Sequence, residues 1–288
     1  MGDPMGAVLA TLSSLLWGTG DFLGGTLSRR VHPVAVIRSA HGMAAVVVAL
    51  VVTATGEWGR TGAVGWGIVA GLVGSSGLGL FYAALSRGTM GVVAPIAGTG
   101  VVVPVVVGLV QGDEPGVVAL VGIVTTIVGV VLVSGPERGS VTDPADAPVE
   151  RGPGPVVLAM MAAVCFGSGQ VLIAEGSDVS VVMTIFSMRA ATLLAASLLL
   201  ATVLRPAARP TRADRRTTAA IATTDTGAMA TFSLATTMGT LSISAVLASL
   251  YPAVTAVLAW RLHGERLRRI QLVGAGATLV GVALIALG

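Results

Sequence analysis

Long apolar stretches punctuated by short charged turns run through the whole chain, and the spacing of the charges predicts the elements. About 20 apolar residues cross a hydrocarbon core ~30 Å thick, so each stretch of that length reads as a membrane helix. Asp3 to Arg29 is interrupted only by Asp21, and His32 to Glu57 only by Arg38 and His41. Residues 61–86, 88–112 and 115–136 carry no charge, so five spans fill the first half. After a polar, proline-containing stretch, residues 152–174 and 179–204 repeat the pattern, the second interrupted only by Arg189. The 44 residues between Arg216 and Arg261 are too long for one span and suit two, joined near Gly239-Thr240, with Asp225 the one charge inside. Residues 270–288 complete a set of ten. Met1 to Leu16 lacks the basic region of a secretory signal and is read as part of the first span.

Composition excludes the soluble alternatives. Of 288 residues, 54% are hydrophobic and 11% charged, against roughly 25% charged in an ordinary soluble domain. Mean hydropathy of +0.90 leaves too few polar groups to cover a water-exposed surface, and disordered chains are polar. All 17 basic residues are arginine, scattered through short connections, which fits membrane orientation and not a nucleic-acid-binding stripe. The single Cys165 excludes an intramolecular disulfide and a cysteine-rich metal site, and is read as a packed thiol.

The halves repeat. At an offset of 151 residues Arg38 falls on Arg189, Phe81 on Phe232, Gly88 on Gly239, Ala94 on Ala245 and Glu114 on Glu265. At 149, Trp17-Gly18-Thr19-Gly20-Asp21 matches Phe166-Gly167-Ser168-Gly169-Gln170; at 152, Gly122 and Gly129 match Gly274 and Gly281. The domain organisation follows: residues 1–136 as one five-helix repeat, 137–152 as linker, 153–288 as the second repeat. An odd number of spans makes the second copy enter the membrane upside down. The fold class is therefore an all-α membrane protein with ten transmembrane helices as two inverted five-helix repeats, an architecture that places a binding site near the midplane. The turns after the first, third, fifth, seventh and ninth spans hold 14 arginines and the opposite turns only Arg60, which by the positive-inside rule puts both termini outside.

A Trp-Gly-x-Gly element in the first span, a membrane arginine in the second and seventh, and Pro252 followed by Gly264-Glu265-Arg266-Leu267 carry a resemblance. The chain resembles the EamA-type branch of the drug/metabolite transporter superfamily over nearly its whole length. The resemblance implies an exporter of amino acids, other small metabolites or toxic compounds. It also implies a central cavity inside spans 1–4 and 6–9, with spans 5 and 10 at the periphery. Such proteins are drawn with both termini in the cytoplasm, opposite to the arginine count, and Gln170 stands where a symmetric partner of Asp21 would be.

Charges at the bilayer centre cost about 2.5–3.5 kcal/mol each, so those inside the spans are the first candidates for substrate binding or coupling. Asp21 and Arg38 lie at similar depth on neighbouring spans and are expected to pair, with Asp21 alternatively binding substrate or a proton. Arg189 and Asp225 both fall near the midplane, as a static pair or as a proton-coupled switch. His41 is read as a proton shuttle or a neutral packing residue. Trp17, Phe166, Tyr82 and Tyr251 offer aromatic faces to a ligand, or simply pack. Gly18, Gly20, Gly167 and Gly169 permit close helix contact or unwinding beside a substrate, and Pro95, Pro104 and Pro252 supply kinks that gates need. Glu114 and Glu265 are read as helix-end caps.

The leading function is a secondary transporter in the bacterial cytoplasmic membrane, exporting small organic metabolites by alternating access, with proton coupling as one option. The alternatives are a passive uniporter of the same fold and an intramembrane lipid-modifying enzyme. The three histidines are scattered and lysine is absent, so neither a metal cluster, a P-loop nor any cofactor is called for. Expected partners are a small-molecule substrate, the lipid bilayer, protons and a second copy as a homodimer, with anionic headgroups suited to the arginine-rich stretch Arg205 to Arg216.

Overall fold

The computed structural model describes residues 4–110, 116–133, 153–238, 241–264 and 269–287; among them lie twelve α-helices and no strand. In chain order these are α1 (Pro4–Ser28), α2 (Pro33–Thr55), α3 (Gly62–Arg87), α4 (Met90–Gly98), α5 (Val102–Val110) and α6 (Val117–Val133). The second half holds α7 (Pro155–Val179), α8 (Val181–Thr202), α9 (Arg215–Met238), α10 (Leu241–Ala248), α11 (Tyr251–His263) and α12 (Arg269–Leu287). Two expected spans are broken. A 3-10 turn at Thr99–Val101 separates α4 from α5, and the turn Ser249-Leu250 separates α10 from α11. Glu114, Glu265, the 137–152 linker and the Gly239-Thr240 junction lie outside the described residues.

Local chemistry sets these boundaries. His32 caps α2, its Nδ1 accepting from the Val34 N–H at 3.3 Å, and Pro33 occupies the first turn, where a missing N–H costs nothing. Gly56 ends α2 and Gly264 ends α11 at φ of 70° and 68°, the left-handed conformation that glycine adopts most cheaply. Ser180 caps α8 by accepting from the Met183 N–H at 3.0 Å. Pro104 explains the first break, because its ring excludes the carbonyl four residues earlier, that of Gly100. Pro252 starts α11 just after the second break.

α2, α3, α7 and α8 are long and apolar enough to cross a membrane. Their outer faces carry exposed Val46, Leu50, Met160, Val164, Leu194 and Leu198, as expected of helices solvated by lipid. α9 is rich in threonine, but Thr218, Thr223, Thr224 and Thr231 each donate to a carbonyl one turn back. These four hydroxyls are thus satisfied within the helix, as an apolar environment demands, whereas those of Thr226 and Ser233 are buried without a partner among the described residues.

Contacts at the helix ends give the relative direction of α2 and α8. The His32 N–H donates to the Ala208 carbonyl at 3.0 Å, tying the start of α2 to the chain after α8. Ser180 donates to the Glu57 carboxylate, tying the end of α2 to the start of α8. α2 and α8, related through Arg38 and Arg189, therefore run antiparallel. Partner exchange between the halves agrees: α2 packs on α8 and α6 on α12, while α1 packs on α9 and α3 on α7. α6 and α12 sit mainly against each other, and a Cβ at Gly129 would come within 2.8 Å of the Gly274 carbonyl.

Candidate functional site: a central cavity between the halves

Helices of both halves enclose a cavity of about 690 Å³, counting its open mouth, which is the size of a small-molecule site. α1 contributes Trp17 and Asp21, α2 His41, α7 Phe166, Gly169 and Gln170, α8 Arg189, α9 Asp225 and α11 Tyr251. Asp225 stands ten residues into α9, so at 1.5 Å per residue it lies about 15 Å from the helix start. His41 and Arg189 each stand eight residues into helices of similar length. The polar groups therefore meet halfway along the bundle.

One ion cluster dominates the site. Arg189 Nη1 lies 2.7 Å from Asp225 Oδ2 and 3.1 Å from His41 Nε2, which is 3.4 Å from the same carboxylate oxygen. The Arg189 side chain is 1% exposed and that of Asp225 13%. A buried guanidinium is tolerable only beside a compensating charge, and α9 supplies it. The cluster is not saturated, however. Arg189 Nε and Nη2, Gln170 Oε1 and the Tyr251 hydroxyl are buried without hydrogen-bond partners among the described residues. Buried polar atoms are nearly always paired, so these unpaired donors and acceptors set the cavity wall apart from the rest of the interior. Asp21 adds a second, 6% exposed carboxylate with no ion pair or hydrogen bond among the described residues.

One sequence expectation is corrected, and for Tyr82 the packing alternative is the one observed. Arg38 does not pair with Asp21: it is exposed, and its Nε donates to Ser197 Oγ at 3.0 Å. It starts only five residues into α2, about 8 Å from the helix start, so its long side chain reaches a polar cleft near the helix end instead of the midplane. Tyr82 does not line the cavity but is buried in the core, its ring filling the space a Cβ at Gly24 would occupy.

The glycines divide by role. A Cβ at Gly167 would meet the Gly100 carbonyl at 2.1 Å, and one at Gly18 the Tyr251 carbonyl at 2.6 Å. Each therefore lets a first helix of one repeat cross the broken helix of the other at backbone contact. Thr255 completes the second crossing by donating to the Gly18 carbonyl at 3.1 Å. Gly20 abuts Thr224, whereas Gly169 opens onto the cavity. Pro95 lies inside α4, and Pro252 packs against Gly98.

Sequence reading missed Gly74, Ser75, Met188, Thr192 and Met229, all of which line the cavity. The repeat held the signal for two of them: at an offset of 151, Gly74 is the counterpart of Asp225 and Thr192 of His41. Following the partners of charged positions into the other half would have found them.

The family model of the EamA-like transporter family matches the chain twice, over residues 4–135 and 154–287. A solved structure titled "Crystal structure of protein" resembles it with a TM-score of 0.70 at 16% identity, covering 98% of this chain and 96% of that one. That likeness shows the fold alone. No curated protein matches the chain in sequence. With two copies of the family pattern spanning both halves, the chain belongs to the EamA-like transporter family of the drug/metabolite transporter superfamily and is an integral membrane transporter.

Proposed function

We propose that the protein is a secondary transporter with ten membrane crossings in two inverted repeats, exporting a small organic metabolite across a bacterial cytoplasmic membrane. Taken through their breaks, α4–α5 and α10–α11 each make one crossing, and the antiparallel α2 and α8 support the inverted relation. The observation that carries the reading is the midway cavity, walled by both halves and lined with unpaired polar atoms. Rocking one half against the other about such a site exposes it alternately to each side.

The residues suggest their roles. Arg189 presents two free nitrogens to an anionic or carbonyl group of the solute, and Trp17, Phe166 and Tyr251 provide apolar faces. Asp21 supplies a carboxylate that no arginine neutralises, available to a proton or to a cationic group of the solute. Competition between proton and solute at this carboxylate couples export to proton entry. Lost proton dependence in vesicles would instead favour passive uniport on the same fold.

The test is untargeted quantification of small molecules in the medium of cells expressing wild type, Asp225→Asn or an empty vector. Enrichment of one solute with wild type alone supports export and names the substrate class. Three indistinguishable media count against export.

A further inference from the structure

A second cleft lies at the end of the bundle where α2 begins and α8 finishes. It holds about 820 Å³, counting its open mouth, and its wall includes Arg38, Ser39, Ser197 and Arg209. We propose that this cleft binds a phosphate-bearing anion between Arg38 and Arg209, separately from the transport cavity.

Three observations point there. Neither arginine has a carboxylate partner among the described residues; the one bond of Arg38 is from Nε to Ser197, which leaves both terminal nitrogens free. The repeat explains the vacancy. The counterpart of Arg38 is Arg189, whose acid is Asp225, and the counterpart of Asp225 in the first half is Gly74. The second-half arginine is neutralised internally, whereas the first-half arginine faces a polar cleft with no acid in its wall.

The loop that brings Arg209 is held in place. The His32 N–H binds the Ala208 carbonyl, and Arg30 binds Asp214, whose other oxygen accepts from the Thr211 N–H and hydroxyl at 2.8 and 2.9 Å. Asp214 is the only acid between Arg205 and Arg216, and these bonds occupy it. The loop is thereby fixed against α2 with its local charge balance positive. Two guanidinium groups and the Ser197 hydroxyl, which accepts from Arg38 and keeps its own proton to donate, are a donor set for phosphate, which takes charge-assisted bonds from several directions; the Ser39 hydroxyl donates to the Ala35 carbonyl. Arg38 starts about 8 Å inside the helix start, a depth from which its head reaches the headgroup level of a bilayer. Phosphate at this place can come from a lipid headgroup or from a soluble phosphate.

The test uses the full-length protein purified in neutral detergent, with the shift in apparent Tm followed against short-chain phosphatidylglycerol and, separately, against inorganic phosphate. Wild type, Arg38→Gln, Arg209→Gln, the double variant and Arg60→Gln are compared; Arg60 lies beyond the opposite end of α2. The half-saturating concentration should rise about fivefold for each lost arginine, further in the double variant, and not at all in Arg60→Gln. Arg38→Lys, which keeps the charge, should retain most of the binding. Saturation by the lipid alone identifies a headgroup site, and saturation by both ligands a site for phosphate as such. Both exposed substitutions should leave the unliganded Tm unchanged, so lost binding is separable from misfolding. Equal titration curves for wild type and the double variant, or no shift of wild type with either ligand, would overturn the proposal.

Discussion

Replacing Gly167 by alanine tests how the two halves are locked together. The added carbon would stand 2.1 Å from the Gly100 carbonyl oxygen and 2.7 Å from Val103 Cβ, where ordinary contact begins at 3.4 Å. The backbones of α7 and the α4–α5 break must therefore part by about 1.3 Å, with no flexible side chain to absorb the change. Overpacking of this kind costs about 3 kcal/mol at the upper end of its range, and alanine regains about 1 kcal/mol of helix propensity. The net loss is about 2 kcal/mol, equivalent to a fall of about 4–8 °C in Tm. Gly74→Ala is the control, because a Cβ there meets nothing within 4 Å; it should match or slightly exceed wild type. Thermal unfolding in detergent, compared at one scan rate, reads both. An unchanged Tm for Gly167→Ala would refute the close backbone crossing.

Asp225→Asn should leave Arg189 buried without a compensating charge and cost about 3–5 kcal/mol, while Asp225→Asn combined with Arg189→Gln should recover part of that; thermal unfolding of the three proteins checks it. Asp21→Asn removes a carboxylate that makes no ion pair, so Tm should hold while the pH dependence of transport in vesicles disappears; a retained pH profile would move coupling elsewhere. The backbone bond from Thr211, followed by the Arg30 bond, holds the Asp214 carboxyl below the usual carboxylate range. A depressed value stabilises the folded state above pH ~4 and loses that effect as pH falls through the folded value. Protease susceptibility of the 203–214 loop should accordingly stay flat from pH 7 to about 5 and rise in stronger acid, whereas Asp214→Asn should show the raised susceptibility at every pH.

The fold was legible because charge is expensive in lipid: charged turns had to fall outside the spans, and the helices follow them closely. The midway meeting of Arg189 and Asp225 was legible for the same reason, since each needed a partner at its own depth. Pairing Asp21 with Arg38 failed because residue spacing gives the depth of a Cα and not the direction of a long side chain. Spacing also could not separate Gly18 and Gly167, which serve backbone crossings, from Gly169, which opens onto the cavity. Small residues have the same local signature in both settings, and only the neighbour decides. Tyr82 and Tyr251 make the same point: both are aromatic and buried, yet only Tyr251 reaches the cavity.

The central claim is that the cavity around Arg189 and Asp225 carries the solute across the membrane. Its most direct test is counterflow of the labelled solute in vesicles reconstituted with wild type, Asp225→Asn or Glu150→Gln, the last altering a charge in the polar linker. The expected result is loss of counterflow with Asp225→Asn and full activity with Glu150→Gln. Wild-type counterflow in both variants would contradict the assignment of that cavity.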